Sequence, residues 1–130
     1  MIVHFPVGLL ISGVVFEIYG ALRNDEVAET AGRYNIRFGF WCLFPVLLVG
    51  FLGMISLENT EEFKDFLSSH LTFALCTAGL FFSAMLVSRY LRQPFGKALY
   101  FIIIGLGGIC VLTTGYFGGE LVHRFGVSTN

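Results

Sequence analysis

Long apolar runs separated by short polar clusters set the pattern of this chain. Phe5 to Leu22, Phe38 to Leu57, Leu71 to Ser88 and Ala98 to Phe117 are each almost uninterrupted hydrophobic sequence. Each is close to the roughly 20 residues that a helix needs to cross a hydrocarbon core at about 1.5 Å of rise per residue. Backbone donors and acceptors find no water in lipid, so such a run has to satisfy itself as helix. The pattern therefore predicts an all-α membrane protein. Its fold is an up-and-down bundle of four transmembrane helices forming a single domain over residues 1–130.

The polar clusters between the runs carry the start and stop signals. Pro6 falls in the first turn of the first helix, where a missing N–H is harmless and a fixed φ assists initiation. Pro45 lies inside the second run and is expected to bend it. Asn24 and Asp25, followed by Glu26 and Glu29, make a good helix start, so the second helix is expected to begin in water well before Phe38. Between the second and third spans, Asn59 or Thr60 can cap a short helix. Glu61 and Glu62 would occupy its first turn, and Phe63, Phe66 and Leu67 its apolar side. That segment is expected to lie along the membrane interface as a separate element.

Composition agrees with a membrane setting: 55 % of residues are hydrophobic, 16 % aromatic and 13 % charged, with a mean hydropathy of +0.77. A formal net charge of -1 leaves no basic face for nucleic acid. The start MIVHFP has no Lys or Arg, and no small-residue cleavage site follows, so the first apolar run is expected to remain as a span. Cys42, Cys76 and Cys110 fall one each in three different spans with no CxxC spacing, and read as small buried apolar residues.

Charge placement orients the bundle. Of the eight Lys and Arg residues, six (Arg23, Arg33, Arg37, Arg89, Arg92 and Lys97) fall in the connections after the first and third spans, and two (Lys64 and Arg124) on the other side. The bias of Lys and Arg towards the cytoplasm puts both termini outside it. In a Gram-negative bacterium that is the periplasmic side of the inner membrane. Tyr34, Trp41, Tyr90 and Tyr100 near one boundary and Tyr116 near the other then read as aromatic belts.

With this topology all three histidines share the outer side: His4 opens the first helix, His70 the third, and His123 follows the fourth. The first and third helices of such a bundle are diagonal neighbours, so His4 and His70 can face one another across its axis. Two neutral imidazoles on facing helices are the axial ligand set of a six-coordinate haem b. The plain alternative is interfacial histidines that hydrogen-bond with one end wet. Glu17 is the one acid well inside a span. It needs hydrogen-bond partners such as Tyr19, Tyr34 or Arg37, and serves either as a structural hydrogen-bonding group or in a proton relay. Gly8, Gly13, Gly50, Gly53, Gly79, Gly105, Gly107 and Gly108 allow close helix packing or the approach of a flat ligand. No HExxH, GxSxG or phosphate loop is present, which removes hydrolytic and nucleotide chemistry.

The segments VHFPVGLL (Val3 to Leu10), Phe16-Glu17, His70 at the start of the third helix and GYFGGELVHRFGV (Gly115 to Val127) together resemble the bacterial membrane family filed under domain of unknown function 2231. The resemblance covers essentially the whole chain. It implies a four-span fold and a redox membrane setting, because the domain is often joined to or encoded beside c-type cytochrome or Rieske-like modules. His4 and His70 match the family's histidine positions, and Glu17 matches a position usually held by aspartate. Members often carry a further His-Pro upstream of the VHFP motif, which the residues before Val3 do not include. Near the end the family pattern tends to Tyr-x-His-Gly where this chain has His123 and Phe125, a departure that sets His123 apart and leaves His4 and His70 as the histidines that match the family.

The expectation is thus a membrane subunit of an electron-transfer complex. It would bind haem b near the outer face through His4 and His70, with Glu17 and His123 as proton or polar sites. Its partners would be other membrane subunits and a periplasmic c-type cytochrome or Rieske-like protein. The alternatives are a cofactor-free accessory or anchoring subunit and a quinone-binding subunit. The topology has its own check: a reporter fused after Asn130 should be active when it requires export and silent when it requires the cytoplasm.

Overall fold

The computed structural model describes residues 4–54, 60–91 and 94–125. They form four helices: α1 (His4–Arg23), α2 (Glu26–Met54), α3 (Glu61–Tyr90) and α4 (Phe95–Phe125). All four are long and apolar enough to cross a membrane. At 29 to 31 residues, α2, α3 and α4 exceed the apolar runs predicted within them. Their polar outer turns stay helical beyond the hydrocarbon.

The bundle is built from two antiparallel hairpins, α1 with α2 and α3 with α4. They meet through α1 against α4 and, more lightly, α2 against α3, while α1 and α3 stand on the diagonal without contact. The turn between α1 and α2 is made by two residues. Asn24 takes the left-handed conformation (φ 54), which asparagine tolerates better than most residues, and the Asp25 N–H donates to the Gly20 carbonyl at 2.9 Å to close α1. Asp25 then caps α2, its Oδ1 accepting from the N–H groups of Val27 (3.0 Å) and Ala28 (3.1 Å). The helix start expected at Asn24 and Asp25 is therefore present, and α2 continues through Pro45.

Glycines at heptad spacing let α1 and α2 approach closely. In antiparallel register Gly13 and Gly20 of α1 lie against Ile36 and Glu29 of α2, and Gly32 and Gly39 of α2 lie against Glu17 and Leu10 of α1. A Cβ at Gly13 would lie 2.7 Å from Ile36 Cγ1, one at Gly20 2.6 Å from the Glu29 nitrogen, and one at Gly32 2.7 Å from both Cγ and the nitrogen of Glu17. In lipid, where burial of apolar surface gives no net drive, such close backbone packing supplies the dispersion that holds helices together. Gly107 performs the same service for the Phe81 ring, whereas a Cβ at Gly108 would meet Val14 only at an ordinary 3.6 Å. Gly8, Gly50, Gly79 and Gly105 have open space where a side chain would stand, and so take no part in packing. Gly53 lies among residues whose side chains are not described.

The buried core, Leu10, Val14, Ile36, Phe40, Phe81, Ala84, Val87, Tyr100, Ile104 and Val111, occupies the half of the bundle nearer the two turns. In the histidine half no α2 residue from Trp41 to Phe51 is buried, and before Leu10 only Pro6 is buried on α1. There the α3–α4 hairpin packs on itself through Phe63 against Phe125 (5.3 Å between ring centroids) and Phe73 stacked on Phe117 (5.7 Å).

Two expectations are corrected. The segment after Thr60 is not a separate interfacial helix but the first turns of α3. Thr60 caps it, Oγ1 accepting from the Phe63 N–H at 3.3 Å, and the helix runs unbroken to Tyr90. No Gly or Pro interrupts Glu61 to Ala78, and α4 is long enough to cover Phe63, which is only 3 % exposed. The cysteines are also not core residues, since Cys76 is exposed and Cys42 and Cys110 are partly so. Their small side chains are tolerated on the outward faces of the spans.

The packing distances rank the glycines. Gly32→Ala should destabilise the detergent-solubilised protein by about 1–3 kcal/mol, the usual cost of overpacking a tight contact, whereas Gly50→Ala should stay within about 0.5 kcal/mol of the parent. Thermal unfolding followed by helical circular dichroism orders the two.

Candidate functional site

At the histidine end α3 presents His70 to α4. Its Nδ1 lies 3.0 Å from the Thr114 carbonyl oxygen. A carbonyl can only accept, so Nδ1 carries the proton, and in the neutral ring Nε2 is left with its lone pair free. The ring fits beside α4 because residue 118 is glycine: a Cβ there would stand 3.1 Å from His70 Cε1. Thr114 donates its own hydroxyl to the Cys110 carbonyl at 2.8 Å, and it is the backbone carbonyl of Thr114 that meets the imidazole.

His4 is at the same end, exposed, on the first turn of α1, diagonally across from α3. His123 is exposed in the last turn of α4. No hydrogen bond joins the three histidines to one another among the described residues. The neighbouring rim is an ion-pair cluster in which Arg124 contacts Glu120 on its own helix, reaches Glu62 of α3 at 3.3 Å and lies over the Phe66 ring at 5.2 Å. Among the described residues no three His, Cys, Asp or Glu side chains come together as a metal site.

The turn end holds a second constellation, organised by Glu17. Its side chain is 2 % exposed, about 9 Å along α1 from Arg23 at 1.5 Å per residue. Oε1 accepts from the Tyr100 hydroxyl of α4 at 2.9 Å and faces Arg33 Nε of α2 at 3.5 Å. Arg33 also donates to Glu29 Oε2, 3.1 Å away, and the other oxygen of Glu29 meets Lys97 Nζ of α4 at 3.5 Å. Lys97 and Tyr100 sit one turn apart on α4, so the five side chains form an open polar ring over three helices. Gly32 provides the space into which the Glu17 stem fits.

Glu17 therefore has the partners that a buried carboxylate requires, but not those expected from sequence. Tyr19 and Tyr34 are 50 % and 67 % exposed, and Arg37 is exposed. The antiparallel register brings up Arg33, one turn earlier on α2, and α4 contributes Tyr100. Tyr100 is correspondingly a core residue, 8 % exposed, and not part of an aromatic belt. Part of this was visible, because Glu29 and Arg33 have the i,i+4 spacing of a helical ion pair. The pairing with α4 had no local signal.

The His70 contact depends on the notch at residue 118. Gly118→Val should push the imidazole off the Thr114 carbonyl, which histidine nitrogen-15 shifts report as a change of tautomer balance. Gly119→Val, at a position with nothing within 4 Å, should leave those shifts in place.

No curated protein and no solved structure matches this chain. A family match does exist, it spans the molecule from end to end, and four apolar helices long enough to cross a bilayer are what its description calls for. The chain belongs to the family described as predicted membrane protein (DUF2231), which matches residues 1–130.

Proposed function

We propose that this membrane protein is the haem-binding subunit of an electron-transfer complex, with haem b held at the histidine end between His4 of α1 and His70 of α3. The observation that carries the reading is the His70 contact. With Nδ1–H tied to the Thr114 carbonyl, the ring is fixed in the tautomer that offers Nε2, the arrangement by which proteins orient a histidine ligand and raise its basicity. The surroundings suit a flat apolar group. The main buried cluster stops short of this half of the bundle, where Phe63 and Leu121 are the buried apolar residues of α3 and α4 and Trp41 to Phe51 of α2 contribute none.

When bound, the haem would supply one-electron chemistry. The chain's own part is to hold and insulate. Thr114 fixes the imidazole of His70, Gly118 gives the ring its place, and the aromatic contacts of Phe63, Phe66, Phe73 and Phe117 keep α3 and α4 in register around it. His4 would supply the second nitrogen from the opposite hairpin. In this reading the histidine end faces the periplasm of a bacterial inner membrane, where a c-type cytochrome or Rieske-like protein exchanges electrons with it.

The purified protein, expressed with ample haem supply, should show Soret and α bands that sharpen on reduction. His70→Ala should abolish them and His4→Ala should convert the spectrum to a five-coordinate form. A colourless wild-type protein rejects the proposal in favour of a cofactor-free accessory subunit. Bands that survive both substitutions reject the ligand assignment.

A further inference from the structure

We infer that Glu17 is a proton-exchange site, reached only from the turn-end aqueous face by way of Arg33, Glu29 and Lys97. The site shares no residue with the proposed haem ligands and stands or falls separately from them.

Burial along the ring is graded. The side chains of Arg33 and Lys97 are each 46 % exposed, that of Glu29 is 19 % exposed and that of Glu17 is 2 % exposed. A chain of polar side chains thus leads from water to one carboxylate inside a span. On its other side the way is closed by apolar packing: Leu10, Phe81 and Ile104 at 0 %, Val111 at 2 % and Val14 at 9 % exposure. Access is therefore one-sided.

The ring tolerates the carboxylate in two protonation states without losing its shape. When Glu17 is ionised, Oε1 receives the Tyr100 hydroxyl and the Arg33 guanidinium. When a proton from turn-end water is added to the carboxylate, the resulting carboxyl O–H donates to the Tyr100 oxygen, which can accept as well as donate. Arg33 keeps its nearer partner Glu29, at 3.1 Å against 3.5 Å to Glu17. The positive charge no longer balanced by Glu17 then rests on Arg33 and Lys97, the two most exposed members of the cluster. Release runs the same steps backwards to the same side.

The groups facing Glu17 come from two helices. α2 supplies Arg33 and Glu29, with the exposed Arg37 one turn further along, and α4 supplies Lys97 and Tyr100. α3 packs against this half of the bundle with Phe81, Ala84 and Val87, and its Arg89 and Tyr90 are exposed. Arg33 and Tyr100 on one carboxylate oxygen fasten α1 to α2 and to α4, and the same hydroxyl, able to accept as well as donate, can serve the carboxyl once Glu17 is protonated.

The test uses the full chain in proteoliposomes of defined orientation, with infrared difference spectra recorded as one compartment at a time is acidified. Acidifying the turn-end compartment should raise a protonated-carboxyl band that shifts in D2O and is missing from Glu17→Gln. Tyr100→Phe, which keeps the carboxylate and withdraws a donor from its ionised form, should enlarge that band at a given pH, so the site can be judged even where Glu17→Gln does not assemble. Acidifying the histidine-end compartment alone should raise no such band. Spectra in which Glu17→Gln and Tyr100→Phe both match the wild type would mean a permanently ionised fastening and overturn the proposal. A Glu17 band raised equally from both sides would also overturn it.

Discussion

A carboxylate inside a membrane span has to be met by donors, and much of this bundle can be understood from how Glu17 is met. An unpaired buried charge is costly enough to expel the segment or force neutralisation. Here the solution draws on three helices. α1 brings the carboxylate, α2 the guanidinium and α4 the hydroxyl, and Glu29 and Lys97 extend the network behind them. The contact between Glu17 and Tyr100 is also the hydrogen bond that joins the two hairpins in the core. For that contact to form, α1 and α2 must already lie within reach of each other, which the glycines at 13, 20, 32 and 39 permit.

The bundle is consequently uneven. Its turn half is closed by apolar packing and the polar ring, while its histidine half is held mainly within each hairpin. The two hairpins approach through α1 and α4 and touch more lightly through α2 and α3, where Phe40 stacks on Phe82 at 6.1 Å. A tight end and a looser end suit a molecule whose stability is set on one side of the membrane and whose ligand chemistry is proposed on the other. The residues at the looser end are arranged for orientation more than for strength: Thr114 sets the His70 tautomer, and Gly118 sets its position.

The sequence by itself determined the number of helices, their apolar character, the helix start at Asn24 and Asp25 and a cap at Asn59 or Thr60. Those features are local: a hydrophobic run satisfies its own backbone as helix, and a capping side chain bonds within three residues of itself. The gathering of the histidines at one end also followed from alternation of the spans. Tertiary structure decided everything that depends on register between helices. Which glycines are packed and which face open space, whether residues 61–70 form an interfacial segment or the start of α3, and whether Tyr100 lies in a belt or in the core are settled by the neighbour each meets. One helical turn separates Arg33 from Arg37, and a single chain has no local signal for choosing between them. The pairing of Glu17 with Tyr100 spans 83 positions of sequence and arises only when α4 folds back against α1.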